Sequence, residues 1–151
     1  MKDEDHRLIA EWAVKCAAHA LRYFESEEPE DNRPRKALEA AMAWVHGEIT
    51  VDEAKRWTWE TGNSARGKLG AAKYAALSAG QAAAVAHVAA HGLGAAAYAI
   101  RAVMAASDET ARVEAGTIEC RWQRDQLPET IRELVIEDQK NRNEICWNVF
   151  T

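Results

Sequence analysis

Nineteen of the 42 residues from Ala65 to Ala106 are alanine, and no other feature of the chain restricts its fold so tightly. Alanine enters a helix at no side-chain entropy cost, and its small side chain lets neighbouring backbones approach closely. A helix that is small and apolar all round is normally buried all round, so this stretch predicts a helical core. From Tyr74 to Ser107 the only formally charged residue is Arg101. A membrane span would require Leu, Ile, Val or Phe where most of these alanines stand. Gly80, Gln81, His87, His91, Gly92 and Gly94 also interrupt the run. Three core helices are therefore expected, near residues 65–78, 81–91 and 94–106, divided at Gly80 and at Gly92-Leu93-Gly94.

The flanking segments carry the helical period as well. Ile9, Trp12, Ala13, Cys16, Ala20 and Phe24 form one apolar stripe over residues 3–25, behind the acidic start Asp3-Glu4-Asp5. An acidic, proline-broken loop follows, and Pro34 suits the first turn of a second helix that ends at Gly47. Thr50-Val51-Asp52-Glu53 reads as a capping box opening a short helix, with Ser64 as the N-cap of the next one. Ser107-Asp108 should cap a helix reaching about Gln126, and Leu127-Pro128-Glu129 should start a last amphipathic helix bearing Ile131, Leu134 and Val135. The tail Ile145-Cys146-Trp147-Asn148-Val149-Phe150 is too apolar to hang free, and should pack on the body or on a second subunit. The expected architecture is all-α: seven or eight short antiparallel helices forming one domain over residues 1–151.

Charge and cysteine use narrow the function classes. Lys plus Arg total 19 against 24 Asp plus Glu, a net charge of −5. Such a surface repels nucleic-acid phosphates, and Arg33-Pro34-Arg35-Lys36 is too short for a nucleic-acid footprint. Cys16, Cys120 and Cys146 are widely spaced and odd in number, which fits reduced thiols in a cytoplasmic protein rather than a disulfide framework or a zinc site. No signal peptide is read at the N-terminus, and no cofactor is expected.

Several constellations invite a chemical reading. His87 and His91 are four apart, a spacing that can hold a metal from one helix face. The intervening Val88-Ala89-Ala90 lacks the glutamate of a zinc hydrolase, and core histidines bonded to a carbonyl or to Tyr98 are the plainer alternative. Gly92-x-Gly94-x-x-Ala97 resembles a dinucleotide loop, but a helix rather than a strand precedes it. Arg101, one turn beyond Tyr98, either faces solvent or lines a cleft that recognises a carboxylate or phosphate. Together His87, His91, Tyr98 and Arg101 mark a possible ligand pocket.

Six tryptophans strengthen the case for binding. Trp12 and Trp44 lie on apolar stripes and belong to the core. Trp57 and Trp59 are two apart, so one helix face cannot bury both, and one of them should stand at a surface groove. Beside Glu27, Glu28 and Asp31 of the acidic loop, that edge would suit a basic protein partner.

The segments 33–49, 84–103 and 121–135, in that order, resemble the alanine-rich immunity proteins of bacterial polymorphic-toxin loci. The resemblance implies a non-enzymatic protein that binds and neutralises a cognate toxin encoded beside it. It supplies no catalytic residues, and the stretch Trp57–Lys68 is less alanine-rich than the family pattern. Two other expectations stand beside it. One is a metal- or ligand-dependent enzyme with a pocket at His87, His91, Tyr98 and Arg101. The other is a helical scaffold forming a homodimer through Trp147 and Phe150.

Overall fold

In the computed structural model, which describes residues 1–151, the chain is all helix and turn. The elements are α1 (Asp3–Ala20), the single turn α2 (Arg22–Glu25), α3 (Arg33–Val45), α4 (Val51–Ala65), α5 (Gly70–Ala84), α6 (His91–Ala106), α7 (Arg112–Asp125) and α8 (Glu129–Arg142). A short 3-10 turn, Glu109–Ala111, leads into α7.

The alanine-rich helix α5 is the hub. It packs against α1, α2, α3, α4 and α6. Ala72, Ala75, Ala76, Ala79, Ala82 and Ala83 are fully buried on it, and Ala95, Ala96, Ala97, Ala99 and Ala102 are buried on α6. Five neighbours can reach one helix only if the positions facing them carry small side chains, which is the physical use of the alanines. Buried polar groups stitch the layers. Ser78 Oγ donates to the Ala95 carbonyl at 2.7 Å, and Gln123 Nε2 donates to the Ala96 carbonyl at 3.0 Å. The stripe on α1 is buried as expected, with Trp12 only 1% exposed and its indole N–H donating to the Gln123 carbonyl at 2.8 Å. One hydrophobic cluster runs from Ile9 to Phe150.

Four sequence expectations are corrected. The first helix ends at Ala20, and Phe24 enters the core from the separate turn α2. The capping box at Thr50 and Glu53 forms, but α4 continues through Gly62 and Asn63, so Ser64 is buried in its last turn and caps nothing. Two helices, not three, fill residues 65–106. Gly80 lies inside α5, and Gly92 and Gly94 lie in the first turn of α6. These glycines permit close approach rather than a break. A Cβ on Gly80 would fall within 3.0 Å of Thr61 Oγ1 on α4, and Thr58 Oγ1 donates to the Gly80 carbonyl at 2.9 Å. Finally, Ser107 ends α6 instead of starting α7: its hydroxyl donates back to the Val103 carbonyl.

The apolar tail folds onto its own body. Trp147 and Asn148 take left-handed backbone angles, φ 57° and 56°, which reverse the chain. The Asn143 side chain then accepts from the Phe150 N–H at 3.0 Å and donates to the Phe150 carbonyl at 3.1 Å. Val149 and Phe150 are buried against the cluster, and Arg124 Nη1 donates to the Thr151 carbonyl at 2.6 Å.

Candidate functional site

The two tryptophans of α4 diverge as their spacing requires. A separation of two residues turns the side chains by about 200° around the helix axis. Trp57 faces α3, half-buried against the core, with Lys36 Nζ 5.9 Å and Arg56 Cζ 5.3 Å from its ring centre. Trp59 points the other way and is 72% exposed, a large value for an indole on a well-packed helix.

Trp59 forms one wall of a groove of about 410 Å³ between α4 and the turn joining α5 to α6. From α4 and the residue after it come Lys55, Thr58, Trp59, Asn63 and Arg66. His87 lies within the turn and His91 is the first residue of α6, so the pair does not share a helix face, yet both line this groove. His91 Nδ1 lies 2.8 Å from Gln81 Oε1 on α5. A carboxamide oxygen can only accept, so Nδ1 carries the proton and Nε2 holds the free lone pair. Burial, then the neighbouring His87, lowers the His91 pKa from the ordinary imidazole value.

Tyr98 and Arg101 lie elsewhere. Ten residues of α6 separate Arg101 from His91, about 15 Å of rise along the axis. The Arg101 guanidinium sits 4.2 Å from the Tyr74 ring centre and 4.1 Å from that of Trp147, and donates to Tyr74 Oη at 3.0 Å. Tyr98 packs against Trp147 at 5.0 Å. Arg101 is thus half-buried among aromatic rings and clamps the C-terminal tail. The four residues grouped from sequence fall into two places: a histidine pair in the Trp59 groove, and a Tyr–Arg clamp at the tail.

The acidic loop is partly neutralised from within. Glu25 pairs with Arg35 at 2.6 Å, Asp31 with Arg33 at 2.8 Å, and Glu28 with Lys68. The Arg33 hydrogen bond holds the Asp31 carboxyl down at about 2. Glu27 is exposed and makes no such pair. By contrast Lys55 and Arg66, which sequence reading did not single out, are exposed without a carboxylate partner. Their proximity to His87 depends on α4 running unbroken past Gly62, which the loop-like string Gly62-Asn63-Ser64 conceals.

The cysteines are poorly placed for chemistry. All three are buried free thiols, and burial pushes each pKa up, that of Cys16 well up with the Glu119 carboxylate adding to the effect. Thiols held protonated in this way are weak nucleophiles. Glu119 itself is buried and pairs with His19 at 2.7 Å, while the His19 ring stacks on Trp122 at 3.8 Å, which ties α1 to α7. No helix is long and apolar enough to cross a membrane.

An all-α bundle with an alanine hub and a tryptophan-bearing outer helix defines the class structurally. The chain belongs to the family described as Imm-5 like putative immunity protein, which matches residues 1–130. The matched span covers the whole alanine core and the α4 groove and ends at the start of α8. No curated protein and no solved structure matches the chain.

Proposed function

We propose that this protein is a cytoplasmic bacterial immunity protein that binds a cognate toxin and neutralises it without catalysis. The observation that carries the reading is the family match over residues 1–130. The binding face is the α4 edge. Trp59 is its anchor, because a largely exposed indole on a rigid helix offers broad contact area at little entropy cost. Trp57 and the loop carboxylates Glu27, Glu28 and Asp31 flank it on the α3 side. Glu28 and Asp31 are already tied to Lys68 and Arg33, so the loop meets a partner as a pre-ordered surface, with Glu27 free to meet a cation.

Co-expression with the adjacent open reading frame tests this. Rescue of growth and co-purification of a complex are expected, with Trp59→Ala weakening the complex by about 2 kcal/mol or more. Neither rescue nor complex formation by the wild-type chain would refute the reading.

A further inference from the structure

The groove beside Trp59 has a charge opposite to that of the chain as a whole. The protein carries a net charge of −5, yet none of the residues lining this groove is acidic. Lys55 and Arg66 stand at its edge, exposed and without a carboxylate partner. Two imidazoles complete the lining, and that of His91 is oriented. Its Nδ1–H is held by Gln81, and Gln81 in turn occupies space that Gly94 leaves free, since a Cβ there would fall within 3.0 Å of its carboxamide oxygen.

We propose that the Trp59 groove is the seat for an acidic segment of the protein partner, with successive carboxylate side chains meeting Lys55, the His87–His91 pair and Arg66 along its length and an aliphatic part packed on the Trp59 ring. The inference rests on the α4 edge being the binding face and specifies the chemistry that edge recognises. Charge complementarity selects the occupant. A basic peptide would meet four cationic or protonatable groups, and a neutral one would leave two unpaired cations at the rim. Volume agrees, because about 410 Å³ holds a side chain or two rather than a folded element. Gln81 is a positioning residue that aims the His91 Nε2 atom.

Protonation follows from the same arrangement. Burial, then His87, disfavours the charged form of His91, and Lys55 and Arg66 line the same groove from the α4 side. A bound carboxylate offsets the burial of His91, so binding draws a proton onto His91 and strengthens as pH falls below neutrality.

The test uses the full chain and two readouts. In the first, a Glu-rich, Leu-containing octapeptide is titrated while the NMR signals of the Trp59 indole and the two imidazoles are followed. Peptides with Gln or Lys replacing Glu, and inorganic phosphate alone, serve as the comparison arms. The Glu peptide is expected to move those three signals and to bind about tenfold more weakly to Lys55→Glu/Arg66→Glu. Affinity should fall with added salt, and Gln81→Ala should reduce the pH dependence while the circular dichroism of each variant stays native. Shifts located elsewhere, equal binding of the Gln or Lys peptide, or the same response to phosphate alone would overturn the proposal. The second readout is the co-expression rescue, in which the charge-reversal variant is expected to protect less than wild type. If it protects equally, the groove proposal fails and the immunity reading stands. Failure of the wild-type chain to protect sinks that reading alone, since the peptide titration does not depend on it.

Discussion

Gly80 provides the sharpest stability test. By helix propensity alone, replacing an interior glycine with alanine should stabilise a protein by about 0.8–1 kcal/mol. At Gly80 the new Cβ would fall within 3.0 Å of Thr61 Oγ1, a separation real Cβ atoms do not show. Thr61 is 1% exposed, β-branched, and donates to the Thr58 carbonyl at 2.9 Å, so it has little room to yield. Overpacking of this kind costs about 1–3 kcal/mol, and displacing the Thr61 hydroxyl forfeits about 1 kcal/mol more. The clash wins, and Gly80→Ala should lose about 1–3 kcal/mol net. Gly62 is the matched control. It lies in the adjacent helix with nothing within 4 Å of its would-be Cβ, so Gly62→Ala should gain about 0.5–1 kcal/mol. Urea titrations followed by circular dichroism measure both, provided the slopes agree. Thr61→Ala closes the cycle. With the hydroxyl gone the nearest Thr61 atom is 3.4 Å away, so most of the Gly80→Ala penalty should disappear in that background. A Gly80→Ala protein as stable as wild type, or a penalty unchanged by Thr61→Ala, would refute the close-approach argument.

Other consequences can be measured just as directly. Trp12→Ala should cost about 3–5 kcal/mol, seen as a fall in the thermal midpoint, because a fully buried indole and its bond to the Gln123 carbonyl are lost together. Asp31 titrates at about 2, below its usual 3.8, because Arg33 holds it. Its contribution is therefore complete above about pH 4 and is lost as pH falls through 2. Asp31→Asn should flatten the urea midpoint across that window and cost no more than about 1 kcal/mol at pH 7, since the pair is partly solvated. Arg101→Ala removes the guanidinium between Tyr74 and Trp147, so exchange of the Phe150 amide should accelerate roughly tenfold with little change in global stability. Unaltered protection there would mean the tail is held by its Asn143 bonds alone.

Much of the architecture was legible in the residues. The all-α class, the buried stripe through Trp12, the capping box at Thr50 and the divergence of Trp57 from Trp59 follow from helical period and local chemistry, which need no knowledge of neighbours. Two of the boundaries that failed share one cause. Gly80 and Gly92 read as punctuation because a glycine that breaks a helix and a glycine that admits another helix look the same in one dimension. Only the positions of Thr61 and Ile9 across the interface tell Gly80 and Gly92 apart from breakers. The charge of the α4 edge was hidden in the same way. Glu25 and Glu28 looked like part of an acidic field until folding brought Arg35 and Lys68 against them, whereas the Asp31–Arg33 pair is local. The four candidate ligand residues lay close in sequence, but about 15 Å of helical rise put Arg101 with the tail and His91 with Trp59. Composition and period by themselves therefore determined that this protein is a helical bundle around alanine. Which glycines are contacts, which carboxylates are spent and which cations remain free was decided by tertiary packing, because each depends on what a distant segment places beside it.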